Sequence, residues 1–402
     1  MAIKYKKICV IGLGYIGLPT ASLLGTKGFD VHGVDVSKHV VDTINQGKIH
    51  IVEPDLDILV KSAVQAGNLK AGMQPVEADV FVIAVPTPFK GDHEPDLSFV
   101  EAATKMICPY VKPGNLVILE STSPVGTTDE IVAHILKKHG HDIDKDVYVA
   151  HCPERVLPGR ILIELVENDR IVGGINQKST DVAVDFYKSF VRGEVLSTDS
   201  RTAEMAKLTE NSFRDVNIAF ANELSLICDK EGINVWELIQ LANRHPRVKI
   251  LSPGPGVGGH CIAVDPWFIV ARNKDTAKLI HAARLVNDSK PEWVINKIKA
   301  KAEKFKNPVI GCLGLAFKAD VDDLRESPAV GIVRRMIKDK VGEILVSEPN
   351  LESHKEFNLL PCDEVIKRSD IIVILVDHKP YKKLKLLELN EKVIIDTRGI
   401  IQ

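Results

Sequence analysis

Seven cysteines are spread through the chain, and one of them is set differently from the rest. Cys261 closes the stretch Gly254-Pro-Gly-Val-Gly-Gly-His-Cys261 and is followed by Asp265-Pro266. A glycine-rich loop lets backbone approach a ligand closely and turns amide N–H groups toward an anion. A thiolate there can attack an aldehyde carbon; a buried structural thiol is the other use of the same residue. Lys207 and Asn211 are spaced i, i+4 on a stretch with helical periodicity, with Arg214 three positions on. One stripe of ammonium, amide and guanidinium suits an oxyanion and a phosphate, and equally suits a solvated helix face. Glu154 lies in His151-Cys-Pro-Glu-Arg155-Val-Leu-Pro-Gly159. Two prolines and a glycine make this a shaped loop, presenting Glu154 and Arg155 to a cleft or forming a surface charge pair.

A second constellation reads a dinucleotide. Gly12-x-Gly14-x-x-Gly17, with Tyr15 and Ile16 inside it, follows the apolar run Lys7–Ile11 and precedes the helical run Leu18–Leu24. The first glycine permits the turn, the second admits a pyrophosphate, and the third lets the helix pack on the sheet with its N-terminus facing the phosphate. Asp35 stands 21 residues after Gly14 at the end of the next apolar run, where a carboxylate accepts from ribose hydroxyls and repels a 2′-phosphate. The expected cofactor is NAD rather than NADP. Thr87, in Pro86-Thr87-Pro88, and Thr122, in Glu120-Ser121-Thr122, end further runs. Their hydroxyls serve the nicotinamide half or cap turns.

The elements needed to position these residues alternate strand and helix up to about residue 198, lose strand-like runs, and alternate again from Pro308. The expected fold is α/β, with two Rossmann-like doubly wound domains joined by a helical middle region carrying a long connecting helix. The implied domains are residues 1–198, 199–305 and 306–402. Val235–Ala242 reads as a continuation of the preceding helix, and Asp275 to about Phe305 as a long helix interrupted at Pro291.

Composition excludes several function classes. The 402 residues are 45% apolar and 26% charged, as in soluble globular proteins, and 52 Lys+Arg against 54 Asp+Glu leave a net charge of −2. No general field attracts nucleic acid or an anionic membrane, so neither is expected as a partner. No apolar run is long enough to span a bilayer, and the N-terminus enters its first strand at once, leaving no room for a signal peptide. An odd cysteine count without CxxC argues against disulfides and a structural metal, so a cytoplasmic location is expected.

Seven ordered motifs carry a resemblance. These are GLGYIGLP at the start, VPTP at 85–88, STSPVGTT at 121–128, CPERVLPG at 152–159, AEMAKLTENSFR at 203–214, GPGVGGHCIAVDP at 254–266 and FKADVDDLRESPA at 317–329. Together they resemble the nucleotide-sugar 6-dehydrogenase family, which includes UDP-glucose, GDP-mannose and UDP-N-acetylhexosamine dehydrogenases. The resemblance implies a dimer and oxidation of a sugar C6 alcohol to a carboxylate with two NAD⁺. It makes Cys261 the nucleophile that carries a thiohemiacetal and then a thioester. Lys207 and Asn211 then hold the oxyanion, Asp265 organises water and the lysine, and Glu154 activates the hydrolytic water. It places Arg155, Val156, Lys207, Asn211, Arg214, His245, Arg247, Gly258, Phe317 and Lys318 on the UDP-sugar, with the partner's Arg247 completing the site. It puts Arg325 on the NAD pyrophosphate.

The form Cys-Ile-Ala-Val-Asp-Pro-Trp-Phe has Val264 where UDP-glucose enzymes carry lysine, and is most similar to the UDP-N-acetylhexosamine branch. The implied substrate is UDP-N-acetyl-D-mannosamine, for polysaccharide or glycan precursors. UDP-N-acetyl-D-glucosamine is the alternative. A single-step β-hydroxyacid dehydrogenase, which shares the Lys-x-x-x-Asn stripe but lacks the cysteine loop, and a non-catalytic NAD-binding regulator are the readings from other classes.

Overall fold

A computed structural model describes residues 5–51, 53–91, 93–156, 159–259, 261–384, 389 and 391–401. The chain divides into two compact units, residues 1–210 and 211–402. The division falls inside one unbroken helix, Ser200–Glu231, of 32 residues.

The first unit is built on an eight-stranded sheet. Its strands are β1 (Lys7–Ile11), β2 (Asp30–Val34), β3 (Leu69–Gly72), β4 (Val80–Ile83), β7 (Leu116–Leu119), β8 (Tyr148–His151), β9 (Arg170–Gly174) and β10 (Val195–Asp199). Two further strands, β5 (Phe89–Lys90) and β6 (Glu94–Pro95), form a separate hairpin. The order β10-β9-β8-β7-β4-β1-β2-β3 reverses direction between β1 and β4, which opens a crevice beyond their C-terminal ends. The motif-bearing loops after β1, β2, β4, β7 and β8 therefore start at one edge of the sheet. Strand burial explains the unbroken apolar runs: Ile8 and Val10 enter one core while Cys9 and Ile11 enter the other, and Val80/Val82 and Phe81/Ile83 divide in the same way. One pairing departs from the parallel pattern. β9 runs antiparallel to β8, with His151 opposite Gly173 and Ala150 opposite Gly174. Weakly patterned β3 and β10 escape sequence reading, because an edge strand need bury only part of its length.

The second unit carries the helical segment and a four-stranded parallel sheet of β11 (Val309–Leu313), β12 (Glu343–Ser347), β13 (Ile371–Ile374) and β14 (Val393–Asp396), in the order β12-β11-β13-β14. That order matches β2-β1-β4-β7 of the first sheet. The expected continuation of helix through Val235–Ala242 is corrected: Gly232, at φ +70°, ends the long helix, and Asn234 starts a new one by accepting from Trp236 N and Glu237 N. The helix Lys278–Ala302 retains Pro291 inside it.

The two long helices are joined by buried polar groups. Arg284 Nη1 donates to Asp215 Oδ1 at 2.6 Å and Arg284 Nη2 to Asp288, while Asn287 Nδ2 donates to Asp215 Oδ1 at 2.8 Å. Arg284 and Asp215 are both fully buried. Removing one member leaves the other charge uncompensated, so Arg284→Met is expected to destabilise the protein by about 3–5 kcal/mol. Urea unfolding followed by far-UV circular dichroism measures this; a loss below about 1 kcal/mol, the scale of an exposed pair, contradicts it.

Candidate active site

The fingerprint loop has the shape a pyrophosphate needs. Gly12 sits at φ +91°, and a Cβ there would lie 2.5 Å from the Ala84 carbonyl oxygen. A Cβ at Gly17 would lie 1.8 Å from Gly12 O, so only glycine lets the helix Gly17–Thr26 start this close to the turn. Gly14 faces open space, and Tyr15 beside it is exposed, with Ile16 half-buried. Asp35 binds the same loop: its Oδ2 accepts from Leu13 N at 3.1 Å and its Oδ1 from Ser37 N at 2.9 Å. One carboxylate thus ties the ends of β1 and β2, keeping lone pairs for a ribose. These residues fit NAD by their shape and charge.

Thr87 and Thr122 meet at the same sheet edge. Thr87 Oγ1 donates to the Thr122 carbonyl at 2.6 Å, and Ser121 Oγ donates to Val85 O at 2.7 Å. The Thr87 hydroxyl is therefore spent on joining two strand-end loops. Behind Thr122, Glu204 accepts from Thr128 N at 2.8 Å and Thr128 Oγ1 at 2.7 Å, and also from Gly126 N. Glu204 stands one turn before Lys207, so a single helix clamps this loop and presents the lysine, which is half-buried. Sequence reading missed Glu204.

Glu154 is 5% exposed and does not form the surface pair with Arg155 that its loop allowed. Its Oε1 accepts from Arg155 N at 2.7 Å, and its Oε2 from Nη1 of the buried Arg170 at 2.8 Å. The Arg155 side chain turns to Glu210 at 2.6 Å and the Asp169 carbonyl at 3.1 Å. Val156 packs against the first core. Further along, the buried Glu53 accepts from Gly159 N and Ile161 N, each at 2.9 Å. Glu53 and Arg170 thus pin the loop at both ends, and neither was evident in the sequence. Lone acids and bases bordering apolar runs were the only signal.

In the second unit the cysteine loop is held as firmly. Asn222 Oδ1 accepts from Gly254 N at 2.9 Å, and Asn211 Nδ2 donates to Asp265 Oδ2 at 2.6 Å. The Cys261 carbonyl accepts from Val264 N at 3.0 Å and Asp265 N at 2.8 Å, placing Cys261 immediately before the helix Asp265–Arg272. Gly258 would place a Cβ 2.5 Å from Glu326 O, and Gly259 one 2.9 Å from the Phe317 ring. Gly259 N donates to Arg325 O at 3.0 Å. The loop therefore lies flush on the segment that carries Phe317, Lys318 and Arg325. Cys261 and Cys362 are half-buried, whereas Cys9, Cys108, Cys152, Cys228 and Cys312 are buried; of the two, Cys261 alone lies in the glycine-rich loop. Burial pushes Cys9 and Cys108 up to about 11 and Cys152 and Cys312 up to about 12, so those four stay thiols at neutral pH. Arg214, His245, Arg247 and Lys318 are exposed, and the Arg325 guanidinium is engaged by Asp323.

Comparison with known proteins follows this division of labour. Residues 6–191 match the NAD binding domain of the UDP-glucose/GDP-mannose dehydrogenase family, 201–289 its central domain and 311–402 its UDP binding domain. The chain belongs to the UDP-glucose/GDP-mannose dehydrogenase family. It is an NAD-dependent oxidoreductase. Among relatives, a UDP-N-acetyl-D-mannosamine dehydrogenase of Yersinia pestis is 56% identical, over 99% of this chain and 99% of its own. An NDP-N-acetyl-D-galactosaminuronic acid dehydrogenase of Ralstonia solanacearum is also 56% identical, over 99% and 97%. The solved UDP-D-ManNAc dehydrogenase of Pyrococcus horikoshii superposes with a TM-score of 0.90 at 41% identity, covering 98% of this chain and 96% of that one. Among the described residues, no helix is long and apolar enough to cross a membrane.

The position of Asp35 in this family member leads to a test of cofactor choice. Asp35→Ser removes the charge that repels a 2′-phosphate, and is expected to weaken NAD⁺ binding about tenfold while admitting NADP⁺. Fluorescence titration with both dinucleotides reads the change; an unaltered preference for NAD⁺ would contradict the role.

Proposed function

We propose that this protein oxidises C6 of UDP-N-acetyl-D-mannosamine to the uronate, using two NAD⁺ and one water per sugar. The observation that carries the reading is the pinned loop that leaves Cys261 half-exposed beside the Asp265–Asn211 pair, together with the relatives named for that substrate. In this reading residues 1–198 hold NAD, 199–305 pair the subunits and 306–402 hold UDP. The supply of uronates for polysaccharides, in the cytoplasm, is part of the same proposal.

Bound NAD⁺ supplies the hydride acceptor for each oxidation. Lys207 takes the C6 hydroxyl proton as the alcohol becomes an aldehyde. The Cys261 sulfur adds to the aldehyde carbon, and Asn211 and Lys207 donate to the oxyanion. An amide NH₂ has two protons, so Asn211 can hold Asp265 with one and the oxyanion with the other. Loss of the second hydride leaves a Cys261 thioester. Glu154 takes a proton from water as its oxygen attacks the thioester carbon, the carbon–sulfur bond breaks, and the thiolate leaves. Asp265, fixed by Asn211, orders water and the lysine. The diphosphate and sugar engage Arg155, Val156, Arg214, His245, Gly258, Phe317 and Lys318, with Arg325 on the NAD pyrophosphate.

Turnover is expected to yield two NADH per UDP-N-acetyl-D-mannosamine, followed at 340 nm with limiting sugar. Cys261→Ala should form no uronate. One NADH per sugar, or uronate from the variant, would support a single-step dehydrogenase instead. The equal similarity of the Ralstonia relative favours a second reading, an N-acetylgalactosamine nucleotide as substrate, so the panel includes the gluco, manno and galacto sugars. A kcat/KM at least tenfold higher for one of the other two overturns the manno assignment.

A homodimer is supported by a helix face. Phe213, Phe220 and Ile227, spaced by seven, are 68%, 51% and 49% exposed on the helix Ser200–Glu231. A straight apolar stripe of this kind is self-complementary about a two-fold axis, and its occupant is a second copy of the chain. In this reading the partner's Arg247 completes the substrate site. Phe220→Glu is expected to give a monomer in sedimentation velocity with lowered kcat/KM; a stable dimer would overturn the assigned face.

A further inference from the structure

Behind Glu154 lies a buried charge cluster that the reaction as written does not use. Arg170 is 3% exposed, donating Nη1 to Glu154 Oε2 at 2.8 Å and Nη2 to the Leu165 carbonyl at 3.1 Å. Its guanidinium stands 5.8 Å from the centre of the Tyr187 ring. The Tyr187 hydroxyl donates to Oε1 of a second buried acid, Glu120, at 2.7 Å. Glu120 closes β7, Glu154 follows β8, Arg170 opens β9, and Tyr187 comes from the helix Gln177–Lys188 packed across them. The groups facing Glu120 are Glu154, Arg170, Tyr187, Cys152 and Thr20. Arg170 is the one cation among them: it is bonded to Glu154, and its charge also acts on Glu120.

We propose that Arg170 and Glu120 are positioning residues for the hydrolytic half of the reaction. Arg170 fixes the Glu154 carboxylate, and the protonation of Glu120 sets how strongly that carboxylate attracts a proton from water. The inference rests on the role given above to Glu154. In the balanced step, water adds its oxygen to the Cys261 thioester carbon and yields one proton to Glu154. The carbon–sulfur bond breaks, the sulfur leaves as thiolate, and the sugar carboxylic acid loses its proton to solvent. No oxidant is consumed.

Burial, with the Glu154 charge beside it, pushes Glu120 up to about 7, against the pull of Arg170 and Tyr187. Below that pH Glu120 is neutral, and Glu154 faces the charge of Arg170 with no second carboxylate beside it. Above it a second carboxylate repels the negative charge on Glu154, a repulsion that a proton arriving from water relieves. Hydrolysis should therefore quicken as pH rises through about 7.

Rapid-quench turnover with NAD⁺ and UDP-N-acetyl-D-mannosamine separates the steps, with intact-protein mass spectrometry to detect acyl-Cys261. Glu120→Gln can still accept from Tyr187 but cannot ionise. Its hydrolysis is expected to lose the rise near pH 7 and to run about tenfold slower at pH 8, with NADH formation before hydrolysis unchanged. Arg170→Lys loses the fork that spans Glu154 and Leu165. Its kcat should fall at least tenfold, with acyl-Cys261 accumulating and KM for the sugar within about twofold. Wild-type hydrolysis and pH profile in Glu120→Gln would overturn the inference, as would an Arg170→Lys enzyme that slows the first oxidation and accumulates no thioester. If Arg170→Lys fails to fold by circular dichroism, Glu120→Gln decides alone. A wild-type enzyme that makes one NADH per sugar and no acyl-Cys261 sinks the proposed function itself; two NADH with normal hydrolysis in both variants sinks only this inference.

Discussion

The cysteine loop depends on one stripe of buried polar side chains along the helix Ser200–Glu231. Asn211, Asp215 and Asn222 recur at i, i+4 and i+11, three turns of one face. Asn211 holds Asp265 just past Cys261, and Asn222 holds Gly254 at the start of the loop. Asn222 is itself fixed by Asn287, and Asn287 by Asp215 with Arg284. A loop of glycine and proline has little side-chain packing to order it. Hydrogen bonds at its ends supply that order, and in a dry interior each is costly to leave unmade. The long helix is thus a ruler that sets the spacing of the residues at the two ends of the loop.

The two Rossmann-like sheets place an acid at the same point and use it differently. Asp35 follows β2 and accepts from Leu13 N after β1; Glu348 follows β12 and accepts from Leu315 N and Ala316 N after β11. Asp35 remains partly exposed. Glu348 is buried, with His378 Nε2 at 3.1 Å from its Oε2. Burial makes the acid after β12 a latch that closes the turn.

What sequence made legible was local. The fingerprint, Asp35 and the i, i+4 stripe of Lys207 and Asn211 each fit within one element or across one turn, where spacing alone fixes geometry. The partners that hold them did not show. Arg170 meets Glu154 because β9 is antiparallel to β8: with His151 opposite Gly173, the start of β9 lies back beside the loop that follows β8. No local pattern announces the direction of a strand. Glu53 lies more than a hundred residues from the loop it clamps, and Glu204 more than seventy from Thr128. These pairings are set by sheet order, and sheet order is a property of the whole chain. The boundary at Gly232 was missed for a different reason: apolar periodicity resumes beyond it, and only the left-handed backbone of one glycine separates the two helices.

Tying Glu154 to a buried arginine suits the proposed reaction, in which water must be delayed. A base that took protons readily from the start would hydrate the aldehyde in competition with thiol capture. A carboxylate already neutralised by an ion pair is a poor base while the surroundings stay protonated, because the arginine stabilises its charged form. The same pairing removes the conformational freedom of Glu154, so little entropy is lost when water is finally aligned. The cost is two charges withdrawn from solvent, and that cost is met only if the geometry is kept. Here the two residues come from the loop after β8 and from the start of β9, which pairs with β8. The arrangement gives Glu154 a fixed position, and in the proposed reaction Glu120, a second buried acid near it, is the group whose charge answers to pH.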